Sequence, residues 1–388
     1  MVTLEIADNH AGQRLDKFLG KYLTEAPVSF FYKMLRKKNI TLNGKKAEGR
    51  ELLQRGDQVT LWLSEETILK FGGYLPEQKQ GAARSSNQGK GAAPAGNSCI
   101  DTALYQRAFR RLRDIGVLYE DAHVLILNKP AGVLTQQAKA GDLSLNEWMI
   151  GYLLESGALE AEELRLFRPS VCNRLDRNTS GLVLCGKSLA GSQALSELIR
   201  SRAVRKFYRT VCVGTFSPAV LEKLSKTGGD EPQKQSPVQI HAYLQKDTKT
   251  NQVRVREQGP GERIDTAYLP LTGYMLQSEG LGRDIKDFAH SLLFTELEVE
   301  LITGKTHQIR AHLASIGHPL IGDGKYGDAK VNQLLKQRFG LSWQLLHAQR
   351  LEFPPLEGAL AALSGRQIQA PLPELYKKIL AGMQSIGN

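Results

Sequence analysis

The sequence is poor in the residues that stabilise folds by disulfide bonds or metal ions. Its 388 residues include four cysteines, Cys99, Cys172, Cys185 and Cys212, and no two form a C-x-x-C pair. This spacing fits neither a zinc site nor a disulfide framework, so we expect reduced thiols in a cytoplasmic protein. No apolar run is long enough to span a bilayer, and the first residues form no basic-then-apolar leader, so we expect no membrane partner.

Acidic residues are outnumbered by basic ones. Lysine and arginine total 51 against 40 aspartates and glutamates, which gives a net charge of +11 and a pI of about 9.4. A surplus of this sign indicates a polyanionic partner, most commonly a nucleic acid. Solubility alone would also account for it, so charge does not decide the function.

The first 68 residues have the pattern of a small independent module. Leu15, Phe18, Leu19 and Tyr22 recur at helical spacing. A second helix is predicted with Ser29 as its N-cap and Phe31, Met34 and Leu35 facing inward. The Asn43-Gly44 pair after Ile40–Leu42 predicts a tight hairpin, and residues 59–63 predict a closing strand.

This module resembles the ribosomal protein S4-like RNA-binding domain, through R-L-D-K-F-L at residues 14–19 and L-N-G-K at residues 42–45. The resemblance implies that exposed cations would contact RNA phosphates. The alternative is an ordinary solvated helix face. The candidate RNA-binding residues are Arg14, Lys33, Arg36, Lys37 and Lys38.

Residues 69–102 are predicted to be a flexible linker, because the run from 78 to 98 is rich in Gly, Ala, Ser, Gln and Pro. Residues 103–388 are then predicted to form one large domain. Within it, residues 224–262 are polar and turn-rich, and we expect an insertion there with a hairpin around Lys246 to Asn251.

A polar loop, N-R-L-D-R-N-T-S-G at residues 173–181, precedes a short apolar strand in this second domain. Asp176 stands between Arg174 and Arg177, and nearby cations favour an ionised carboxylate. Such a group can act as a nucleophile, a base or an electrostatic anchor. A loop cap or a plain ion pair is the alternative interpretation.

Two further segments carry candidate functional residues. Alternation along the strand at 206–213 separates Tyr208 from Phe207, although a strand tyrosine is usually a core residue. Residues 303–306 are predicted to open a helix with Ile309, Leu313 and Ile316 inward, which leaves Arg310 off the apolar stripe. His307 and His312 lack the i, i+4 register of a zinc pair, so we expect no metal.

Together these segments resemble the RluA/RluC/RluD family of RNA pseudouridine synthases. The matching runs are N-K-P-A-G at 128–132, R-L-D-R-N-T-S-G at 174–181, K-F-Y-R-T-V-C-V-G at 206–214 and T-G-K-T-H-Q-I-R-A-H at 303–312. One departure is Asn173, where the family commonly has histidine. The resemblance implies an α+β fold whose mixed, largely antiparallel central sheet is flanked by helices.

The resemblance also implies conversion of uridine to pseudouridine in RNA without a cofactor. Asp176 would be the catalytic residue, Tyr208 would stack on the target base, and Arg310 would contact the aspartate. Further candidates for RNA contact are Lys129, Arg174, Arg177 and Lys206, although Lys129 fits a supporting role better. Large-subunit ribosomal RNA is the expected partner, with transfer RNA second, and we expect a monomer.

Two other functions remain open from the sequence. The first is a non-catalytic RNA-binding factor in ribosome assembly that kept the fold. The second is a glycoside hydrolase, which would need a second carboxyl group close to Asp176. The sequence also leaves open whether Asp176 would attack C1′ of the ribose or remove the 2′ proton.

Overall fold

The computed structural model describes residues 1–7, 10–75, 101–216, 237–247, 252–276 and 292–387. Residues 76–100, the greater part of the predicted linker, lie outside these ranges, as do residues 224–236 of the predicted insertion. The described chain forms a small four-stranded sheet near the N-terminus and a twelve-stranded sheet in the remainder.

The N-terminal sheet is fully antiparallel and is covered by two helices. Its strand order is β1-β4-β2-β3. Its elements are β1 (Val2–Glu5), α1 (Leu15–Tyr22), α2 (Val28–Arg36), β2 (Ile40–Leu42), β3 (Lys45–Lys46), β4 (Gln58–Leu61) and α3 (Glu65–Lys70). The apolar faces predicted for α1 and α2 are buried. Asn43 and Gly44 both adopt positive φ, as a two-residue hairpin requires.

Two boundaries in this module differ from the prediction. Helix α2 begins at Val28 after Pro27, so Ser29 lies within its first turn and is not the N-cap. The boundary predicted at residue 68 falls inside α3, and Tyr74 beyond it packs on the N-terminal core. Leu166 of the larger domain is buried in the same core.

The larger domain is α+β. Its elements are α4 (Ala103–Arg111), β5 (Gly116–Glu120), β6 (Val124–Lys129), α5 (Leu145–Glu155), β7 (Ser170–Val171), β8 (Ser180–Gly186), α6 (Leu189–Arg200), β9 (Arg205–Val213), β10 (Val238–Asp247), β11 (Gln252–Arg256), β12 (Glu262–Leu276), β13 (Leu293–Leu301), α7 (Gln308–Ser315), α8 (Ala329–Phe339), β14 (Leu346–Glu352), β15 (Gln367–Gln369), α9 (Glu374–Ala381) and β16 (Met383–Gly387). Two short 3-10 helices, Ala161–Arg165 and Gly358–Leu363, connect some of them.

The central sheet is mixed but largely antiparallel. Its main path is β11-β10-β12-β13-β9-β14-β8-β6-β5, with β15, β16 and β7 added to β14, β12 and β8. Strands β14 and β8 pair in parallel. This pairing sets Ser180 and Gly181, at the end of the polar loop, beside His347 and Ala348.

Several local predictions for this domain need correction. Helix α7 begins at Gln308 because the Gln308 amide oxygen accepts hydrogen bonds from Thr303 and Lys305, which keeps the preceding turn out of the helix. Ile316 is 38% exposed and does not face inward. Ser144 and Glu147 match the sequence pattern of a capping box, but Ser144 hydrogen-bonds the Glu147 carboxylate rather than a backbone N–H of α5, so the box is not formed.

Toward the C-terminus, strand β16 follows helix α9 and pairs with β12. The hairpin expected around residues 246–251 is confirmed by its two strands, since β10 and β11 pair in antiparallel register. Residues 248–251 at its tip lie outside the described ranges.

Gly181 generates a prediction about stability. Its φ is +111°, and a Cβ there would stand 2.1 Å from the carbonyl oxygen of Ala348 on the parallel strand. We expect Gly181→Ala to lower the free energy of unfolding by about 2–5 kcal/mol through backbone strain and overpacking. Denaturant unfolding measures this loss.

The matched control is Gly304→Ala, because no heavy atom lies within 4 Å of a Cβ at Gly304. That substitution should leave the unfolding midpoint nearly unchanged. Equal stability of the two variants would contradict the close β8–β14 packing.

Candidate active site

The polar loop that holds Asp176 is fixed by side chains from three directions. Thr135 donates its hydroxyl to the Leu175 carbonyl at 2.8 Å and accepts the Leu175 N–H at 3.2 Å. Gln344 donates to the hydroxyl of Thr179 at 3.2 Å. His347 Nδ1 lies 2.8 Å from the Ser180 hydroxyl. These contacts hold the loop on both sides of the carboxylate.

Lys129 contributes a further support beneath the loop. Its side chain is fully buried, and its ammonium donates to the carbonyl oxygens of Pro130, Val133 and Arg177 at 3.1, 2.8 and 2.9 Å. Burial lowers the pKa of Lys129 to about 7, while the charge of Asp176 acts in the opposite direction. Three carbonyl acceptors match the three N–H bonds of an ammonium group.

Arg310 connects the loop to helix α7 through two carboxylates. Its Nη1 donates to Asp176 Oδ2 at 2.8 Å, while Nε and Nη2 donate to the two oxygens of Asp323 at 2.7 and 2.9 Å. Burial alone would lower the pKa of Arg310, but its bonds to Asp323 and Asp176 raise it above the usual value. The guanidinium therefore stays charged.

Asp323 is the buried end of this group of three side chains. It is 0% exposed, whereas the Asp176 side chain is 28% exposed. Burial alone would raise the pKa of Asp323, but Arg310 and the backbone N–H groups of Lys325 and Tyr326 hold it below its usual value. Asp323 thus aims the guanidinium, and Asp176 presents its charge toward solvent.

Tyr208 lies in the same cavity. It occupies the middle of β9, between Val299 of β13 and Ala348 of β14. Burial raises the pKa of its phenol, and the charge of Asp176 raises it further, so the hydroxyl keeps its proton. An aromatic face beside a carboxylate suits a planar base joined to a sugar.

The cavity brings together the three residues proposed to be catalytic. Its lining also holds His307, whose Nε2 lies 3.9 Å from Asp176 Oδ2. The lining residues are Arg174, Leu175, Asp176, Thr179, Tyr208, Leu301, Lys305, His307, Gln308, Ile309, Arg310 and Leu346. Asp176 is the only carboxylate among them.

Two residues proposed to bind RNA are placed where they cannot reach it. Lys129 is enclosed by the three carbonyls that it bonds. Lys206 is 9% exposed, and burial followed by the nearby charge of Arg202 lowers its pKa. Most residues on both faces of β9 are buried. Alternation along this strand therefore does not show which side chains reach solvent.

The remaining candidates are accessible. Arg174 is exposed and lines the cavity, whereas the exposed Arg177 donates to the Gly132 carbonyl at 3.0 Å. In the N-terminal module, Arg14 is paired with Asp16 at 2.7 Å, which offsets its charge. The side chains at the end of α2 are exposed: Lys33, Arg36, Lys37 and Lys38.

The departure at Asn173 has a structural use. Its side-chain oxygen accepts the Leu184 N–H at 2.7 Å and its amide donates to the Leu182 carbonyl at 3.4 Å. Asn173 therefore fixes the first residue of the loop against strand β8. The carboxylate three residues later keeps its contact with Arg310.

Sequence reasoning missed the residues that support the site. Asp323 stands in the run G-D-G-K-Y-G at 322–327, and its carboxylate was assigned no role from the sequence. Thr135, Gln344 and His347 come from distant segments, and none of them was assigned a role in the site from the sequence. His307 was considered only as a metal ligand.

Two short runs match phosphate-binding patterns, and the structure excludes both from that role. Residues 181–188, G-L-V-L-C-G-K-S, form most of buried strand β8, and Lys187 pairs with Glu120 at 2.6 Å. Residues 322–327 follow the G-x-G-x-x-G pattern but surround Asp323, which bonds Arg310. Neither run is the loop between a strand and a helix that phosphate binding requires.

The described residues contain neither a cluster of metal ligands nor a membrane-spanning helix. Within the described ranges, no three His, Cys, Asp or Glu side chains are grouped to hold a metal ion. His312 is buried and its Nδ1 lies 3.0 Å from the Thr266 hydroxyl. No helix in the described parts of the chain combines the length and apolar character needed to cross a bilayer.

The chain is similar to known proteins along most of its length. A family model described as RNA pseudouridylate synthase matches residues 123–315. Ribosomal large subunit pseudouridine synthase C of Vibrio vulnificus (strain CMCP6) is 27% identical over 389 residues, which cover 98% of this chain and 96% of the relative. The protein of the same name from Escherichia coli (strain K12) is 28% identical, with the same two coverages.

Among solved structures, Human RNA Pseudouridylate Synthase Domain Containing 4 has a TM-score of 0.49 and 19% identity, and the similarity covers 74% of this chain and 98% of that one. The family match takes in the strands and loops that carry Asp176, Tyr208 and Arg310, and the curated relatives align along nearly the whole sequence. The chain belongs to the RNA pseudouridine synthase family and is of the RluC/RluD type.

Proposed function

We propose that this enzyme converts uridines of large-subunit ribosomal RNA into pseudouridine, with Asp176 acting on the ribose. The observation that carries this proposal is the 2.8 Å contact of Arg310 with Asp176 in a cavity that Tyr208 also lines. The choice of RNA is supported by the two named relatives, both ribosomal large subunit pseudouridine synthases, and by the net charge of +11.

The reaction exchanges one bond at C1′ for another. The bond between N1 and C1′ breaks and its electron pair stays on the uracil. The uracil turns, C5 bonds to C1′ and loses its proton, and N1 gains one proton. Atoms and charges balance without oxidation, reduction or hydrolysis, so the proposed chemistry uses no cofactor. In this proposal Asp176 either attacks C1′ or removes the 2′ proton, and both routes need its ionised form.

The surroundings of Asp176 match these needs. Arg310 is already bound by Asp323, so it supplies its positive charge at a fixed position without reorganising during the reaction. The Tyr208 ring can stack on the uracil. Stacking of a base on an aromatic side chain typically contributes about 1–3 kcal/mol to binding. Extruding a base from its stack costs a few kcal/mol, and this stacking offsets part of that cost.

We infer that the N-terminal module supplies phosphate contacts. Lys33, Arg36 and Lys37 are exposed near the end of α2, and Lys38 follows at positive φ. Within the larger domain, exposed Arg174 lines the cavity, and we infer that it contacts RNA or fills the space that the extruded base leaves. Phosphate contacts position the enzyme and carry little sequence information.

The two other functions are disfavoured by the site. A glycoside hydrolase needs a second carboxyl group as general acid. The nearest carboxylate in this charge network, Asp323, is fully buried, bonded to Arg310 and held ionised. A non-catalytic factor would not need a buried guanidinium aimed at a carboxylate that is open to a cavity.

The first test is Asp176→Asn. We expect this substitution to abolish turnover while RNA affinity stays within about twofold, because the amide cannot carry the charge that acts on the ribose. Tritium release from C5-labelled RNA measures turnover, and fluorescence anisotropy measures binding. Asp114→Asn is the matched control, because Asp114 is exposed and has a φ of +60° that asparagine also tolerates.

Normal turnover of Asp176→Asn would refute the assignment. The RNA class is tested separately by mapping pseudouridines after incubating the wild-type enzyme with unmodified ribosomal and transfer RNAs. Modification confined to transfer RNA would replace ribosomal RNA as the substrate, and modification of neither would refute the activity.

A second test concerns the cations of α2. Replacing Lys33, Arg36 and Lys37 by glutamine should weaken the salt dependence of RNA binding. The plot of log affinity against log salt should become shallower by about 2, because each phosphate contact contributes about 0.7 on a single strand. The control replaces Lys330, Lys336 and Lys378, which are exposed in the larger domain, and changes net charge equally. Equal slopes for the two triple variants would show that α2 does not read phosphates.

A further inference from the structure

His307 occupies an unusual position at the edge of the cavity. It precedes helix α7 and has φ 54° and ψ 19°, a left-handed conformation that few residues other than glycine adopt. Its side chain is 9% exposed, lines the cavity and directs Nε2 toward Asp176 at 3.9 Å. That distance is too long for a hydrogen bond, so the two groups are neighbours without being partners.

The protonation of the ring is set by its other nitrogen. His307 Nδ1 lies 2.9 Å from the Tyr326 hydroxyl, and the same hydroxyl oxygen accepts the backbone N–H of Val253 at 3.0 Å. Burial raises the pKa of Tyr326, so its hydroxyl keeps its proton. Since the oxygen already accepts the Val253 N–H, donation of the hydroxyl proton to Nδ1 satisfies both groups and leaves the ring hydrogen on Nε2.

The charges around the ring support a neutral imidazole. Asp176, Arg310, Asp323 and Lys325 face it from the catalytic loop, from α7 and from the segment after α7. Burial lowers the pKa of His307, and Arg310 and Lys325 lower it further, against the opposing effect of the two carboxylates. The ring is therefore a neutral donor through Nε2 at neutral pH.

Apart from the exposed Arg174, the other side-chain nitrogen donors that line the cavity already have partners. Three guanidinium nitrogens of Arg310 bond Asp176 or Asp323, and Lys305 pairs with Glu262 at 2.5 Å. The Gln308 amide donates to Asp265 and Thr266. The His307 Nε2–H faces the cavity next to the carboxylate that acts on the sugar.

We propose that His307 donates its Nε2–H to an oxygen of the uracil as the base leaves C1′, and that Tyr326 is the positioning residue that fixes this tautomer. When the N1–C1′ bond breaks, its electron pair stays with the uracil, whose carbonyl oxygens gain negative charge. A hydrogen bond to that charge stabilises the departing base, and no proton is transferred. The proposal rests on the proposed function of the enzyme.

This arrangement also links the site to the β10–β11 hairpin. Val253 lies on β11, and Tyr326 packs with Val253, Val255 and Ala311 in one apolar cluster. The hairpin therefore holds Tyr326 by both a backbone hydrogen bond and side-chain packing. Through Tyr326 it fixes the orientation of the His307 ring.

The kinetic test is His307→Asn. Asparagine tolerates the left-handed backbone, but its side chain is too short to reach the uracil. We expect the single-turnover rate on saturating RNA to fall about 100-fold to 1000-fold, as when one donor to a developing oxyanion is removed, with RNA affinity and melting temperature unchanged. A rate within threefold of wild type would overturn the proposal.

The tautomer is tested without any turnover. With ¹⁵N-labelled histidine, the His307 signal, assigned by its loss in His307→Asn, should show an unprotonated Nδ1 and a protonated Nε2 at neutral pH. Tyr326→Phe keeps the ring beside Arg310 and should give a mixture of tautomers and a rate lower by about threefold to tenfold. A protonated Nδ1 in the wild-type enzyme would overturn the proposal even if His307→Asn were slow.

Failure of the proposed function gives a different result. A wild-type enzyme that forms no pseudouridine on any RNA refutes that function and with it the role assigned to His307. An active wild-type enzyme with an active His307→Asn variant refutes only the role of His307.

Discussion

The structure of the site depends on one guanidinium shared by two carboxylates in different surroundings. Arg310 bonds the fully buried Asp323 through two nitrogens and the partly open Asp176 through a third. Removing one partner from a buried ion pair typically costs about 3–5 kcal/mol, because the other charge is left uncompensated. Asp323 therefore keeps Arg310 in place whether or not substrate is bound, and the remaining bond steadies the charge of Asp176.

The sheet provides the rigid frame for this interaction. Strand β9 carries Tyr208, and the parallel pair β8–β14 places Ser180 next to His347 at the end of the polar loop. Lys129 at the end of β6 bonds the Arg177 carbonyl from below. A carboxylate on a free loop would sample many positions, whereas these contacts leave Asp176 few alternatives to facing the cavity.

The residues at the centre of the site were predictable from the sequence, and those that support it were not. Asp176, Tyr208 and Arg310 each lie in a short run with a recognisable pattern, and the structure brings them into one cavity. The charges of Lys129 and Lys206 suggested RNA contact. Both side chains are buried, and this burial comes from strands far away in sequence. The supporting roles of Asp323, Thr135 and His347 were missed for the same reason. They come from tertiary contacts that local sequence spacing does not encode.

Secondary structure was likewise predictable where local sequence determines it and not where distant contacts do. The apolar faces of α1 and α2 and the Asn43-Gly44 hairpin were predicted correctly, because period and turn chemistry are local. The start of α7 was predicted too early, since the bonds of the Gln308 side chain to Thr303 and Lys305 determine it. Strand β16 was missed, because its pairing partner β12 lies about a hundred residues earlier in the chain.

The most direct test of the account is the single-turnover rate of pseudouridine formation by Arg310→Lys on saturating RNA. Lysine keeps the positive charge but cannot bond two carboxylates in a fixed planar geometry. The account predicts a loss of at least about 100-fold with RNA affinity preserved. A rate close to wild type would contradict the claim that a guanidinium shared between Asp323 and Asp176 makes the catalytic carboxylate effective.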